Sequence, residues 1–135
     1  NFLNLFMVGF ASSFSAKLSD TFSSEIGKRF GKRTFLITTL KPVSPGTEGA
    51  ISIEGSIAGL LGSFIMTVFM LNLSIISGLS VAFIVFLSGY LATFLESYIG
   101  AVVQNKINWM TNELVNSIQT SIAAIISIFL YLNFV

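Results

Sequence analysis

Four apolar segments occupy most of this chain, and their length constrains the fold more than any other feature. They run from Phe2 to about Ala16, continuing in helical pattern to Lys28, and then over about Ile57–Ile76, Leu79–Tyr98 and Leu114–Val135. A helix needs about 20 mostly apolar residues to cross a bilayer, and each segment approaches that length. The sequence therefore predicts an all-α, polytopic transmembrane bundle with four membrane helices.

Composition supports a membrane protein and narrows its chemistry. Hydrophobic residues make up 53% of the chain and charged residues 10%, whereas soluble domains carry about 25% charged residues. Cysteine and histidine are absent from the sequence, which excludes disulfides, Ser-His-Asp triads and histidine-ligated zinc or haem within it. A net charge of +1 is too small to indicate nucleic-acid binding. The remaining chemistry belongs to carboxylates, lysine, arginine, hydroxyls, amides and an oxygen-bound cation.

The domain organisation is predicted to be simple. We interpret residues 1–135 as a single membrane domain, because the polar segments are too short to fold separately. The chain begins inside an apolar run, without an initiator methionine or a signal-peptide pattern. We therefore expect it to be the C-terminal part of a longer protein with further membrane helices upstream.

Charge placement predicts where a functional site would lie. Ten of the 13 charged residues fall between Lys17 and Glu54, and the positive-inside rule places residues 28–56, a basic and glycine-rich loop, in the cytoplasm. The later spans then return Glu96 and Glu113 to the same face. All the carboxylates can therefore meet at one membrane surface, which predicts a phosphate and cation site at the cytoplasmic face.

The end of the first helix carries a candidate metal site. Lys17, Asp20, Ser24 and Lys28 recur at three and four residues and share one helix face. A carboxylate with hydroxyls one turn away suits Mg²⁺, which takes one or two carboxylates together with water and phosphate oxygens. The alternative is an ion pair between Asp20 and Lys17 or Lys28 at the helix end.

The next stretch, "GKRFGKR", resembles a phosphate cradle. Gly27 and Gly31 permit close backbone approach, and the lysines and arginines around them neutralise phosphate oxygens. Walker A spacing is absent. The alternative is a basic juxtamembrane anchor that contacts lipid headgroups.

The segment from Lys41 to Gly59 contains two Glu-Gly steps, at Glu48 and Glu54, and places Ser56 as the N-terminal residue of the second helix. Helix N-termini bind anions through their free N–H groups and the helix dipole. The alternative is that glycines in this segment serve only close helix packing.

Two later helices add further candidates. Glu96 is a single ionisable residue inside an apolar segment, and such residues are costly unless they have a function. Asn112 and Asn116 share one face at the start of the last helix. The alternative for Asn112 is a helix cap.

Three sequence blocks resemble one integral-membrane family. They are "SDTFSSEIGKRFGK…TTLKPVSPGTEGAISIEGSIAG", "LESYIGAVVQNK" and "TNELVNSIQT". Together they are similar, over nearly the whole chain, to the family that includes the phytyl-phosphate kinase of tocopherol biosynthesis in plants and cyanobacteria. A more distant similarity links them to CTP-dependent polyprenol kinases and phosphatidate cytidylyltransferases, whose pattern has an Asp, then Gly-Arg-x-x-Gly, then Lys-Thr-x-Glu-Gly.

The resemblance implies a membrane-embedded kinase that uses Mg²⁺ and CTP or ATP to convert a prenyl or phytyl monophosphate into the diphosphate. Thr47, Glu48 and Gly49 occupy the place of the Lys-Thr-x-Glu-Gly motif, but Gly46 stands where its lysine would be, and Lys41 is the candidate replacement. Glu96 stands where the family pattern has an Asp.

The site residues follow from both lines of reasoning. The predicted catalytic residues are Asp20, Lys28, Glu48 and Glu96, and the predicted metal ligands are Asp20, Ser24 and Glu96. The predicted nucleotide and phosphate contacts are Gly27, Gly31, Lys32, Arg33, Lys41, Thr47, Gly49, Glu54, Ser56, Asn112 and Asn116.

Other functions remain open at this stage. They are a cytidylyltransferase that makes a CDP-lipid, a secondary transporter in which Asp20, Glu25 and Glu96 form an ion pathway, and a non-catalytic assembly subunit. The expected partners are the membrane and a prenyl or phytyl phosphate lipid, with a homo-oligomer left open. The expected location is a bacterial or cyanobacterial inner or thylakoid membrane.

Overall fold

A computed structural model describes residues 2–104, 106–107 and 109–135 of the chain, and these form four long helices with a short strand pair. The elements are α1 (Phe2–Phe30), β1 (Thr34–Leu36), β2 (Ala50–Ser52), α2 (Ile53–Asn72), α3 (Leu79–Ile99), which continues as a π-helix (Gly100–Gln104), and α4 (Asn112–Phe134). The prediction of a helical membrane bundle is confirmed.

Length and composition support a membrane span for three of the four long helices that the structure describes. Within the described residues, three helices are long and apolar enough to cross a membrane: Ile53–Asn72, Leu79–Gln104 and Asn112–Phe134. Helix α1 is longer than any of them, but serines and the charged Lys17 and Asp20 interrupt its apolar character. Of the four expected membrane helices, three are therefore long and apolar enough to cross a bilayer.

Helix α1 is the central element, because it packs against α2, α3 and α4. Its buried face consists of small residues, among them Ser12, Ser15, Ala16 and Ser19. Small residues let helix backbones approach closely, which is how helices associate inside a bilayer, where apolar burial adds little. The large phenylalanines instead lie mainly on the outside, where they would face lipid.

Glycines on the neighbouring helices complete these close contacts. A Cβ added at Gly62 of α2 would lie 2.8 Å from the backbone oxygen of Leu18, and one at Gly59 would lie 3.3 Å from the backbone oxygen of Ser19. On α3, Gly89 lies against Ser15. The glycines therefore hold α2 and α3 against the end of α1 that carries Asp20.

The loop predicted over residues 28–56 contains some regular secondary structure, a short strand pair beside the four helices. Helix α1 continues to Phe30, β1 pairs antiparallel with β2, and Phe35 bridges to Pro42. The two prolines and Gly46 and Gly49, both with positive φ, reverse the chain between the strands. Short strands of three residues carry too weak a pattern for recognition in the sequence.

The start of α2 also differs from the prediction. The N-cap is Ser52, whose Oγ accepts a hydrogen bond from the Gly55 backbone N–H at 3.0 Å. Ser56 lies inside the first turn, where its Oγ donates to the Ser52 backbone oxygen at 2.8 Å. The sequence offers two serines four residues apart, and the strand register, Thr34 opposite Ser52, decides which of them ends the strand and begins the helix.

Replacing Ser52 by alanine is expected to lower the stability of the protein by about 1 kcal/mol, the usual cost of removing an N-cap hydroxyl. Thermal unfolding in detergent measures the change. Ser56→Ala is the matched control, because its hydroxyl bonds only to the preceding turn of its own helix. An equal loss in both variants would contradict the assignment of Ser52 as the cap.

Candidate functional site

A polar cavity of about 400 Å³ lies at the end of the bundle where α1 ends and α2 and α4 begin. Four parts of the chain line it: the last turns of α1, the hairpin and its connecting loop, the end of α3 and the start of α4. The predicted residues among its lining are Asp20, Ser24, Gly27, Lys28, Thr47, Glu48, Gly49, Glu96, Asn112 and Asn116. The convergence predicted from charge placement thus brings together residues that are far apart in sequence.

Four carboxylates line the cavity: Asp20, Glu25, Glu48 and Glu96. Asp20 is mostly buried, and Glu96 and Glu48 are half-buried. Glu96 lies within electrostatic range of both Asp20 and Glu48. Within the described residues, however, no three acidic side chains are close enough together to form a metal cluster by themselves. One or two carboxylates are enough to hold Mg²⁺, because this ion completes its coordination with water and phosphate oxygens.

Two lysines provide the positive charge inside the cavity. Lys17 Nζ lies 3.4 Å from Asp20 Oδ2, and Lys28 Nζ lies 3.8 Å from Glu25 Oε1. The ion pair considered as the alternative for Asp20 is therefore present. Lys17 can still bind a ligand while this ion pair is formed, because its side chain is half-exposed and an ammonium group has three donors.

Two polar atoms of the lining lack hydrogen-bond partners. Asn116 Oδ1 and Thr34 Oγ1 are buried and bond to no other described group. A buried polar atom without a partner is costly, and the cost is removed when a ligand or an ordered water supplies the missing bond. Asn116 Oδ1 is an acceptor that a water or a cation would satisfy, whereas the Thr34 hydroxyl can donate to an anionic oxygen.

A buried polar network supports the floor of the cavity. Gln119 Nε2 donates to the Ala16 backbone oxygen at 3.2 Å, and Thr93 Oγ1 donates to Ser19 Oγ at 2.8 Å. Gln119 and Ser19 are fully buried. The network joins α1, α3 and α4 within about one turn of Asp20, Glu96 and Asn116, because residues three and four apart lie one above the other on a helix. It fixes the spacing of the helices that carry the site.

The connecting loop is held over the cavity at Gly49. This glycine is buried with φ of 77° and packs against the end of α3, where a Cβ would lie 2.7 Å from the Ser97 backbone oxygen. Only glycine fits a left-handed conformation in so narrow a gap. Its position fixes Thr47 and Glu48 at the cavity wall.

Comparison with known proteins identifies the family to which this chain belongs. The sequence matches the integral membrane protein family DUF92 over residues 1–124. The chain belongs to the DUF92 family. The family resemblance drawn from the sequence blocks is confirmed, and this DUF92 protein is an integral membrane protein.

Three relatives illustrate the range of the family. An uncharacterized membrane protein of Synechocystis is 50% identical over 121 residues, covering 90% of this chain and 46% of that protein. The protein VTE6, chloroplastic, of Arabidopsis thaliana is 47% identical over 129 residues, covering 94% and 38%. An uncharacterized membrane protein of Methanocaldococcus jannaschii is 35% identical over 128 residues, covering 95% and 52%. The chain spans about half the length of these relatives or less. No solved structure matches it.

Several predicted contacts lie outside the cavity of this DUF92 chain. They are Gly31, Lys32, Arg33, Lys41, Glu54 and Ser56. The "GKRFGKR" stretch is divided because α1 continues to Phe30: Gly27 and Lys28 face the cavity, whereas Lys32 and Arg33 follow the helix and are exposed. Gly31 serves packing, since a Cβ there would lie 3.0 Å from Ser52 Oγ.

Other lining residues were missed by the sequence reasoning. The sequence indicates only an ion pair with Asp20 for Lys17, and it predicts no role for Ser97 or Thr34. Asn112 is the first residue of α4 and not its cap, which is Thr111, whose Oγ1 accepts from the Leu114 backbone N–H at 3.3 Å. The helix-face periodicity of Lys17 and Asp20 was the one available signal for Lys17.

Proposed function

We propose that this DUF92 protein is a membrane-embedded kinase that transfers a phosphoryl group from a nucleoside triphosphate to a prenyl or phytyl monophosphate. The observation that carries the proposal is one polar cavity, at the end of a lipid-facing bundle, that combines Asp20 and Glu96 with Lys17 and Lys28. Carboxylates that hold a divalent cation and ammonium groups that neutralise phosphate oxygens are the two requirements of phosphoryl transfer.

The choice of lipid substrate rests on the family. The resemblance implies the phytyl-phosphate kinase of tocopherol biosynthesis, and the Arabidopsis relative VTE6 covers nearly all of this chain at 47% identity. A prenyl tail partitions into the bilayer, so its phosphate lies at the membrane surface. The cavity lies at the end of the bundle, where such a phosphate can enter. By the positive-inside argument, that end faces the cytoplasm.

The residues present fit a magnesium ion bound with the nucleotide. Asp20 and Glu96 would hold it, with Ser24 and the unpartnered Asn116 Oδ1 as further oxygen groups in the same cavity. Bound Mg²⁺ would reduce the negative charge on the phosphate oxygens during transfer. Lys17 and Lys28 would bind the remaining phosphate oxygens of the two substrates.

The proposed reaction needs no general base. The monophosphate acceptor is ionised at neutral pH, so one of its oxygens attacks the γ-phosphorus directly. The bond between that phosphorus and the bridging oxygen of the nucleotide breaks, and the nucleoside diphosphate leaves with the electron pair. The lysines stabilise the charge on the transferred group in the transition state. The absence of histidine from the chain is therefore compatible with this chemistry.

The product of a labelling assay tests the proposal and separates it from nucleotidyl transfer. The full-length protein in lipid nanodiscs receives Mg²⁺, phytyl monophosphate, and CTP or ATP labelled at the α- or γ-phosphate. We expect lipid diphosphate to carry label from the γ-position only. Label from the α-position would identify a CDP-lipid and a cytidylyltransferase, and absence of label from every nucleotide would contradict group transfer.

A further inference from the structure

Two of the four helices leave a groove between them. Within the described residues, α1 packs against each of the other helices, and α3 packs against both α2 and α4, whereas α2 and α4 do not pack against each other. Helix α1 therefore forms the floor of a groove whose walls are α2 and α4. In a bilayer, one side of α1 is open to lipid along this groove.

Phenylalanines line the floor of the groove. Phe6, Phe10 and Phe14, which we call the phenylalanine face, are exposed and four residues apart, so they lie one above the other on α1. Their ring centres are 6.4 Å apart for Phe6 and Phe10 and 4.8 Å apart for Phe10 and Phe14. The three rings thus form one continuous apolar surface.

The contacts of α1 with its neighbours show that the phenylalanine face lies between α2 and α4. Helix α4 meets α1 at Ser13, whose Oγ donates to the Thr120 backbone oxygen at 3.0 Å. Helix α2 meets α1 at Leu18, where Gly62 approaches the backbone oxygen. Helix α3 meets α1 on its other side, at Ser15. With 3.6 residues per turn, the phenylalanines lie between the directions of Ser13 and Leu18 around the helix axis.

The phenylalanine face continues directly into the polar cavity. The next positions on the same side of α1 are Lys17 and Thr21, three and seven residues after Phe14, and both line the cavity. The Lys17 side chain is 49% exposed, so the cavity is open toward the groove at this residue. From Lys17 to Phe6 the helix rises about 16 Å, which spans several isoprene units of an extended tail. A cation followed by an apolar surface matches the two ends of one lipid phosphate.

We propose that the isoprenoid tail of a lipid monophosphate lies along the phenylalanine face, in the groove between α2 and α4, with its phosphate beside Lys17. The inference deepens the proposed function and rests on it for the identity of the lipid. The lipid enters the cavity sideways from the bilayer, so its phosphate stays at the level of the membrane surface while its tail remains in apolar surroundings. The phenylalanine rings give the tail van der Waals contacts along its length.

Photolabelling with a phytyl monophosphate that carries a diazirine in its tail tests the inference without reference to catalysis. The full-length protein in phosphatidylcholine nanodiscs is irradiated with this probe in the absence of nucleotide, and mass spectrometry locates the labelled residues. Exposed side chains of every helix also take up probe from the bilayer, so competition identifies the site. We expect excess unlabelled phytyl monophosphate, but not phytol, to suppress labelling at Phe10 and Phe14. Labelling at Phe83 should not change, because this residue is 61% exposed on α3, which does not border the groove.

Three results would overturn the inference. Labelling of the phenylalanine face that excess phytyl monophosphate does not suppress would mean contact with bulk lipid only. Suppressed labelling at other residues would place the tail elsewhere. Absence of label from the phenylalanine face would mean that another segment of the full-length protein covers the groove.

Phe10→Ala is expected to weaken the binding of phytyl monophosphate about threefold. The effect is modest because the tail loses van der Waals contacts with one ring, while the lipid around the protein is equally apolar. Equilibrium binding of the radiolabelled lipid in nanodiscs measures the change, and the unfolding temperature in detergent monitors folding. Phe83→Ala is the matched control and should bind the lipid as the wild type does. Equal affinities in both variants would contradict a role for the phenylalanine face.

Phosphoryl transfer measured on the same nanodiscs separates this inference from the proposed function. Suppressible labelling of the phenylalanine face without transfer from any nucleotide would support the groove as a lipid phosphate site and contradict the kinase. Transfer without suppressible labelling there would support the kinase and overturn the assignment of the tail to the groove.

Discussion

Asp20→Asn is expected to reduce phosphoryl transfer by at least about 100-fold, the usual loss when one charged group that stabilises a transition state is removed. The substitution preserves the shape of the side chain and removes only the negative charge. Asp20 is mostly buried in the cavity wall, between Lys17 and the helix end that carries Lys28. Loss of the carboxylate removes the strongest candidate ligand for Mg²⁺ and leaves the charge of Lys17 without its partner.

The measurement is the rate of lipid diphosphate formation as a function of Mg²⁺ concentration. If Asp20 holds the ion, higher Mg²⁺ recovers part of the activity of Asp20→Asn. Glu113→Gln is the matched control, because Glu113 is exposed at the start of α4 and does not line the cavity. A wild-type rate for Asp20→Asn, or an equal loss in Glu113→Gln, would remove Asp20 from the mechanism.

Gly49→Ala is expected to destabilise the protein by about 2–4 kcal/mol, which combines the cost of a left-handed conformation with that of overpacking. Gly49 is buried with φ of 77°, and the added methyl group would meet Ala101 and the Ser97 backbone oxygen. Relief of the clash requires the loop to move away from α3. Because Thr47 and Glu48 lie on that loop, we expect activity to fall together with stability.

Gly46→Ala separates the cost of the left-handed conformation from the cost of overpacking. Gly46 lies in the same loop with φ of 89°, but nothing lies within 4 Å of the position where its Cβ would be. We therefore expect this variant to be destabilised only by the left-handed backbone conformation, by about 1–2 kcal/mol. Unfolding temperatures of both variants in detergent give the comparison. Equal destabilisation would mean that the contact between Gly49 and α3 does not hold the loop.

The existence of the helices could be predicted because it depends on local properties. Apolar segments of about 20 residues form helices in a bilayer, since every backbone group must be hydrogen-bonded within the segment. The positions of the helix ends were less predictable. Ser52 and Ser56 are equally good caps by residue type, and the pairing of Thr34 with Ser52 decided between them.

Part of the cavity lining could be predicted for a related reason. Asp20, Lys28 and Glu96 reach one cavity with Glu48 of the connecting loop because all four lie at the same end of the bundle, which charge placement along the chain indicated. Lys32 and Arg33 were assigned to the same site because they belong to the same sequence motif. The direction of the chain after Phe30 carries them to the outer surface, and a motif contains no information about that direction.

The sequence by itself determined that this is an integral membrane protein of helical architecture with its charged groups at one membrane face, because hydrophobic length and charge placement are properties of individual segments. Only the tertiary structure decided which charges share a cavity and which lie outside it. Those assignments depend on how closely the small residues of α1 let its neighbours approach, and on the conformation of Gly49 and the hairpin. Contacts between segments far apart in the chain determine the helix spacing and the loop conformation, and such contacts cannot be read from one segment.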